Sequence, residues 1–400
     1  MKQFKEAILE YPTTIDHSIA NNTSKNIVVQ RAYKFRIYPN KTQQKQLYLE
    51  FAASKTVYNY FLNQSIELYK LEKKSSNYFD WAKKLTDLKK EKEFTWLQQA
   101  SSGCLQQSIK DLDKAYKNFF RNIKKGTKPG FPNFKKFNSS VRYSNVSCKY
   151  SKEKHKIQLS KCGWINVVDY KNPHGKLMNM TVSKSKSGKW YVSICVEQQT
   201  KKYDNNSNSE IGIDVGIKDF LVDSNGNKIS NPTFLKNQDR KIKRLQRQLS
   251  KKKIGSNNRK KVKLKLAKAH DKIQEQRKNF LHQNSTKLTK ENNFIATEDL
   301  NVSGMLKNHK LAKSIQEVSW SEFFRMLTYK GVWYNCKIKK IGRFEPSSKT
   351  CNNCGYVKKE MSLKEREWVC PQCNTKLDRD VNAAKNILKI ALDIKEEVVI

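Results

Sequence analysis

The run EIGIDVGIKDFLVDSNGNKIS, residues 210–230, decides how the second half of the chain is read. It predicts two strands joined by a turn at Lys218-Asp219, with Asn225-Gly226 as the next turn. Asp214 stands inside this β-rich run, flanked by Gly212 and Gly216. An acid in mid-strand is unfavourable unless it is paired or solvated at a site. The two glycines would let a nucleic-acid backbone come close. Further on, NFIATEDL (293–300) reads as a buried strand ending in two acids, the first being Glu298. Asp380 precedes VNAAKNIL, an Ala-rich helical pattern. Three carboxylates brought together by folding would hold divalent metal while leaving room for water and phosphate oxygens. Two metals about 4 Å apart can activate a water and stabilise the leaving oxygen of a phosphodiester. Each acid also has a plainer reading. Asp214 could bond to backbone beside a turn, Glu298 could pair with a lysine, and Asp380 or Asp378 could cap a helix, which is worth about 1 kcal/mol.

The order strand–Asp–strand, strand–Glu, Asp–helix is that of an RNase H-like α/β domain. Inside it, TCNNCGYVKKEMSLKEREWVCPQC (350–373) carries Cys351 and Cys354 as one C-x-x-C pair and Cys370 and Cys373 as a second, with fifteen residues between. Four thiolates at that spacing suit tetrahedral zinc. The intervening loop has few apolar residues, so a metal must hold it; structural zinc can supply roughly 10–16 kcal/mol in isolated fingers. Two disulfides or free thiols are the alternative, and nothing in the sequence suggests secretion. Cys104, Cys148, Cys162, Cys195 and Cys336 are scattered and read as reduced structural thiols.

Lys and Arg number 80 against 37 Asp and Glu, a net charge of +43 over 400 residues. A compact chain this basic repels itself, and a polyanion is the economical partner. A solvated Lys-rich surface from AT-biased coding is the bland alternative. The basic residues run from end to end, which favours long nucleic acid over a membrane contact made by one patch. Neither an apolar stretch of about 18 residues nor an apolar amino-terminal core of a secretory signal is visible.

Residues 1–30 are polar and irregular and read as a loosely ordered extension. RAYKFRIYP (31–39) alternates as a half-buried strand stopped by Pro39, and Asn40 is placed to cap a helix from Lys41. Helical patterns continue to about Ile123, with Leu105, Ile109, Leu112, Tyr116 and Phe119 at 3–4 spacing. KKGTKPGFPNFKKF (124–137) ends that lobe. Strand patterns then run to about residue 198, predicting a small β-barrel or sheet that the strand at 31–38 could join. KKYDNNSNS (201–209) is a polar linker. A basic helical stretch from about Phe234 to Lys290 is interrupted at KKKIGSNNRKK. SWSEFFRMLTYKGVWY (319–334) is an amphipathic helix and KIKKIGRF (337–344) an alternating strand.

RAYKFRIYPNKTQ with VYNYFL, LQQSIKDLDKAYKNFF, GFPNFKK, GIDVGIKDF, RKNFLHQNS, ATEDL, KTCNNCGY, CPQC and LDRDVNAAKNIL together resemble the TnpB (OrfB) family. These transposon-encoded proteins are related to type V CRISPR effectors and Fanzor proteins. The resemblance runs from about residue 31 to 392. It implies an α+β multidomain protein: an RNase H-like (RuvC) α/β nuclease domain with an inserted zinc ribbon, plus an amino-terminal wedge β-barrel interrupted by a helical recognition lobe. The implied boundaries are a variable extension at 1–30, barrel at 31–39 and 127–200, helical lobe at 40–126, linker at 201–209, nuclease domain at 210–346 and 377–400, and ribbon at 347–376. Matched motif by motif, the resemblance puts the catalytic, Mg²⁺-binding acids at Asp214, Glu298 and Asp380 and structural zinc on Cys351, Cys354, Cys370 and Cys373. It implies an RNA-guided DNA endonuclease of a mobile element, taking a guide RNA derived from the transposon end and a target DNA. Base pairing would read sequence while protein reads shape and a short adjacent motif. A strand-joining transposase and a guide-loaded regulator that does not cut are the alternatives. The expected location is intracellular: cytoplasm, or nucleus for a eukaryotic or viral source. Which protein partners it takes is left open.

Overall fold

The computed structural model describes residues 26–396 except 202, 204–206, 344 and 363–364. In chain order, β1 (Asn26–Tyr38) is followed by α1 (Lys41–Glu72), α2 (Tyr78–Leu88) and α3 (Ser102–Lys124). Then come β2 (Ser140–Ser144), β3 (Cys148–Ser151), β4 (Lys156–Leu159), β5 (Gly163–Val168), β6 (Lys176–Lys184) and β7 (Trp190–Lys201). These strands make one antiparallel sheet in the order β2-β6-β7-β1-β5-β4-β3. The sheet curls into a half-barrel, bringing β3 back against β6 around a core of Phe35, Ile37, Tyr143, Ile157, Val182 and Ile194. The expected extension at 1–30 is corrected at its end. Residues 26–30 belong to β1, whose register against β7 runs from Asn26↔Lys201 to Ile37↔Trp190, and residues 1–25 lie outside the described part. These five residues lack clean alternation; a partner strand far along the chain orders them.

Asn40 caps α1 in a capping box with Gln43, as the sequence order Asn-x-x-Gln invites. The apolar face of α1 (Val57, Phe61, Leu62) packs on Trp81, Leu105 and Ile109 of the other two helices. Glu50 is fully buried on α1. Gln46 Nε2 (3.5 Å) and the Tyr143 hydroxyl donate to it, tying the helices to the barrel, and burial pushes its carboxyl pKa up.

The second half continues with β8 (Glu210–Asp214), β9 (Asp219–Asp223), β10 (Lys228–Ser230), α4 (Phe234–Ser250), α5 (Asn257–Glu291) and β11 (Phe294–Glu298). After α6 (Val302–Met305), α7 (Ala312–Val318), α8 (Trp320–Tyr334) and β12 (Lys337–Ile341), the chain forms a hairpin of β13 (Glu367–Val369) and β14 (Lys376–Asp378). It then enters α9 (Arg379–Glu396). The five-stranded sheet runs β10-β9-β8-β11-β12, with β8, β11 and β12 parallel and the β9–β10 side antiparallel.

Side-chain alternation sorts this sheet's two faces. Ile211, Ile213 and Ile295 face α5 and α8, meeting Leu281, Phe323 and Leu327. The other face carries Gly212, Ala296 and Phe294, and α9 lies on it through Ala384, Ile387, Leu388 and Ala391. A Cβ on Gly212 would fall 2.0 Å from the Ala384 carbonyl oxygen and 2.8 Å from the Leu388 amide nitrogen. The space at Gly212 therefore belongs to α9, and the expectation that it admits a nucleic-acid backbone is overturned. Both obstructing atoms are backbone, so the helix itself must shift. Gly212→Ala is expected to lower stability by about 3 kcal/mol or more, read as a fall in melting temperature. An unchanged melt would show that α9 does not sit so close.

Candidate active site and metal centre

Three elements carry the three candidate acids to one edge. Asp214 is the last residue of β8 rather than a mid-strand residue, and Glu298 is the last residue of β11. They follow the paired positions Ile213 and Thr297 by one step, at the carboxyl ends of parallel neighbours. Asp380 lies in the first turn of α9, which packs on the same strands. Burial, then the charges of Glu298 and Asp380, push the Asp214 carboxyl up to about 8. Arg379 opposes that rise but does not cancel it.

The plainer roles fall to neighbouring acids. Asp378 Oδ1 caps α9, accepting from the amides of Asp380 (3.0 Å) and Val381 (3.1 Å), while its other oxygen takes Lys228 (2.6 Å). Asp299, and not Glu298, takes a lysine, Lys340 at 3.3 Å, and with it Arg343 at 2.7 Å. Glu298 instead accepts a 2.6 Å bond from the Ser347 hydroxyl. Asp380 pairs with Arg366 of the ribbon (3.0 Å) and with Arg379 (2.9 Å).

The four cysteines make the tighter cluster. Among the described residues, only they bring all their ligand atoms within 4.8 Å of one another. Cys351 and Cys373 sulfurs lie 3.7 Å apart, and Cys354 and Cys370 sulfurs 3.6 Å. Bonds of about 2.3 Å to a tetrahedral zinc require sulfur separations near 3.8 Å, so the donor set fits zinc and is far from disulfide distance. The two knuckles repeat one backbone pattern. Gly355 N–H donates to Cys351 O and Asn374 N–H to Cys370 O, both at 2.9 Å, and Gly355 and Asn374 have φ of 81° and 54°. The Thr375 hydroxyl lies 3.2 Å from the Cys373 sulfur, a contact that favours the thiolate a metal needs.

A polar chain joins this centre to the acids, and periodicity gave no sign of it. Asn382 accepts from the Asn352 amide (2.9 Å) and donates to Thr350 O (2.7 Å). One turn on, Asn386 donates to Ser347 O (2.8 Å) and Thr350 O (2.6 Å). Both asparagines are buried. Their four-residue spacing on α9 was the available signal. Through them the base of the ribbon grips α9, and Ser347 passes on to Glu298.

In comparisons with known proteins, a family profile described as a probable transposase (OrfB) matches residues 193–309, and a Cas12f1-like TNB domain profile matches 320–387. A profile described as a helix-turn-helix domain matches 28–74, which here form one strand and one unbroken helix. A Streptomyces pristinaespiralis protein provisionally named an RNA-guided DNA endonuclease is 35% identical over 91% of this chain and 90% of its own length. An Escherichia coli K12 protein with the same provisional description is 33% identical over 90% and 91%. A solved mini-RNA-guided endonuclease (Cas_phi3) aligns with TM-score 0.47 and 10% identity over 91% of this chain and 92% of that one.

Two outcomes are expected. Zinc chelation or Cys351→Ser should lower the melting temperature and expose the ribbon to protease; retention of both properties would sever the metal from the fold. Asp214→Asn should raise the melting temperature of metal-free protein at pH 8. The raised carboxyl pKa stabilises the protonated native form, a contribution complete below about pH 4 and lost as pH rises through about 8. The variant should therefore also flatten the decline in stability across that window.

Proposed function

The chain belongs to the OrfB (TnpB) family, and on that premise we propose that it is an RNA-guided DNA endonuclease with a RuvC-like, Mg²⁺-dependent centre at Asp214, Glu298 and Asp380. The observation that carries this reading is the convergence of Asp214 and Glu298 at the carboxyl edge of β8 and β11 with Asp380 in the first turn of α9, where burial first, and then the charges of Glu298 and Asp380, push the Asp214 carboxyl up to about 8. Folding gains nothing from such a cluster; a bound cation would offset it. The sheet order β10-β9-β8-β11-β12 supports an RNase H-like core, and the relatives' names supply the RNA guide and the DNA target. No described helix is long and apolar enough to cross a membrane.

Magnesium, when bound, would lower the pKa of a coordinated water and neutralise charge on the leaving oxygen. The chain's own residues prepare that chemistry. Ser347 orients the Glu298 carboxylate. Arg366 and Arg379 hold Asp380 at the mouth of the site. Zinc in the ribbon fixes the segment that supplies Ser347 and Arg366, and it takes no part in bond cleavage. The half-barrel and the helices α1–α3 are read as the wedge and recognition lobe that grip the guide, whose source is taken to be the transposon end. Reversible strand joining is separated from hydrolysis by its products.

The test pairs cleavage with RNA capture. Purified protein should carry a discrete RNA, and should cut matching DNA with Mg²⁺ and fall silent with chelator. Asp214→Ala should lose cleavage by at least about a thousandfold, the scale of losing a group on which the reaction depends, while keeping the RNA. Full cutting by that variant would falsify the assignment. Joined transposon–target products in place of free ends would move the chain to the transposase reading.

A further inference from the structure

The buried carboxyl of Glu50 sits in a cluster of ionisable and nucleophilic groups that the proposed reaction leaves unused. Glu50 and Tyr143 are fully buried, and Cys104 is 1% exposed. Four elements converge on this one carboxyl. Helix α1 carries it, with Gln46 one turn back donating at 3.5 Å. The start of α3 brings the Ser101 backbone and the Cys104 thiol, which donates at 3.7 Å. Strand β2 brings the Tyr143 hydroxyl. The turn between β4 and β5 brings Cys162, whose sulfur lies 3.9 Å from that hydroxyl. The helical lobe and the half-barrel therefore meet on an ionisable group.

The partners of Glu50 are all neutral: Tyr143, Gln46, the Ser101 backbone and Cys104. Burial outweighs their hydrogen bonds and raises the carboxyl pKa. The titratable groups facing it are Tyr143, Cys104 and Cys162. Burial, and then charge on Glu50, push Cys162 up to about 12 and raise the other two.

A hydrogen-bond chain of hydroxyl, thiol and carboxyl has two settings. With Glu50 ionised, the Cys162 thiol donates to Tyr143 and the Tyr143 hydroxyl donates to the carboxylate. With Glu50 neutral, the carboxyl's own O–H turns to the Tyr143 oxygen, and the Tyr143 hydroxyl turns to the Cys162 sulfur. The neutral setting buries no charge. The ionised setting buries a carboxylate with no counter-ion, which is strongly unfavourable in a dry interior. Water would relieve it, and a cavity of about 250 Å³ opens at the same place, its lining including Gln46, Cys162, Lys45 and Lys161. Those two lysines are the cations an ionised Glu50 would meet through that water.

We propose that Glu50 is a proton-operated latch between the helical lobe and the half-barrel: neutral, it closes the joint through Tyr143, Cys104 and Cys162; ionised, it draws in water from the Gln46–Cys162 cavity and loosens the joint. The proton passes to solvent through that cavity. Leu47 and Phe51, which flank Glu50 on α1, stay in the barrel core, so the joint loosens without parting. The sign follows from the direction of the shift. A carboxyl raised in the closed state stabilises that state fully below the ordinary glutamate value of about 4.3. The contribution is lost as pH rises through the closed-state value. The latch uses neither metal nor nucleic acid and stands apart from the nuclease reading.

Cys104 is a built-in reporter, since its buried sulfur reacts only when the joint opens. The full chain is alkylated with iodoacetamide between about pH 5 and pH 8, and each cysteine is read by peptide mass spectrometry. Cys148 in the barrel core and Cys336 in the core of the other half report opening elsewhere. In Glu50→Gln the side chain is a neutral isostere, and the joint should stay shut at every pH. The ratio of Cys104 labelling in the parent to that in Glu50→Gln, scaled to Cys148, should climb with pH by up to about tenfold per unit, the limit for one proton. Tyr143→Phe removes a donor that favours the carboxylate, so its rise should continue to higher pH than the parent's. Equal protection of Cys104 in the parent and in Glu50→Gln at every pH overturns the latch and leaves Glu50 a permanently neutral packing group. A rise that Cys148 shares in full also overturns it. If Glu50→Gln melts early, Tyr143→Phe decides, and a rise that ends no higher than the parent's overturns the proposal. Ionisation of Asp214 would register at Cys336, so failure of the acid-site reading and failure of this one are separable.

Discussion

The carboxyl-terminal half depends on one steric fact: α9 lies directly on β8 because position 212 has no side chain. Strand alternation makes this face small, with Gly212 and Ala296 meeting Ala384 and Ala391, while the opposite face carries the bulky Ile211, Ile213 and Ile295. A larger face would hold the helix several ångströms further out, and Asp380 with it. The electrostatic coupling of Asp214 to Asp380 therefore begins as a packing choice at a glycine. Repulsion among the acids is carried by burial of Phe294, Ile341 and Ile387 on the same face, a general pattern in which functional sites are less stable than their surroundings.

The zinc ribbon's contribution follows from that geometry. Its own core is little more than Trp368, Leu377 and the cysteines, so the metal must order it. Once ordered, it meets the acidic edge at two points, Ser347 on Glu298 and Arg366 on Asp380, and grips α9 through Asn382 and Asn386. Each buried asparagine side chain is satisfied by backbone, and a network of that kind fixes a single register more than it adds net stability. The ribbon thus behaves as a splint across the joint between strand and helix.

Much of this was legible beforehand, for identifiable reasons. The β11 strand announced itself by a short apolar run ending in acids, β8 by its apolar run although Asp214 was read inside the strand and ends it, α1 by Asn40 and its apolar side, and the cysteine centre by two C-x-x-C pairs. These signals are local. What escaped was long-range or polar. Residues 26–30 are strand only because β7 pairs with them. Gly212 was read as open space because its occupant lies far along the chain. Asn382 and Asn386 show only a four-residue spacing with no hint of what they grip, Ser347 shows nothing, and the division of labour between Asp378 and Asp380, or Asp299 and Glu298, is invisible until rotamers are placed.

The position of β1 in the middle of its sheet has a bearing on timing. Its partner strands β5 and β7 are made long after it, with α1–α3 emerging between them. Closing such a loop carries an entropic penalty before any contact repays it. The helices can pack while the half-barrel stays open, and the sheet is whole only once β7, which ends at Lys201, has joined β1. The second sheet repeats the delay, since β8 waits for β11 and then for α9. The acidic edge is thus assembled by the final described helix, after the half-barrel and the helices α1–α3 that precede it.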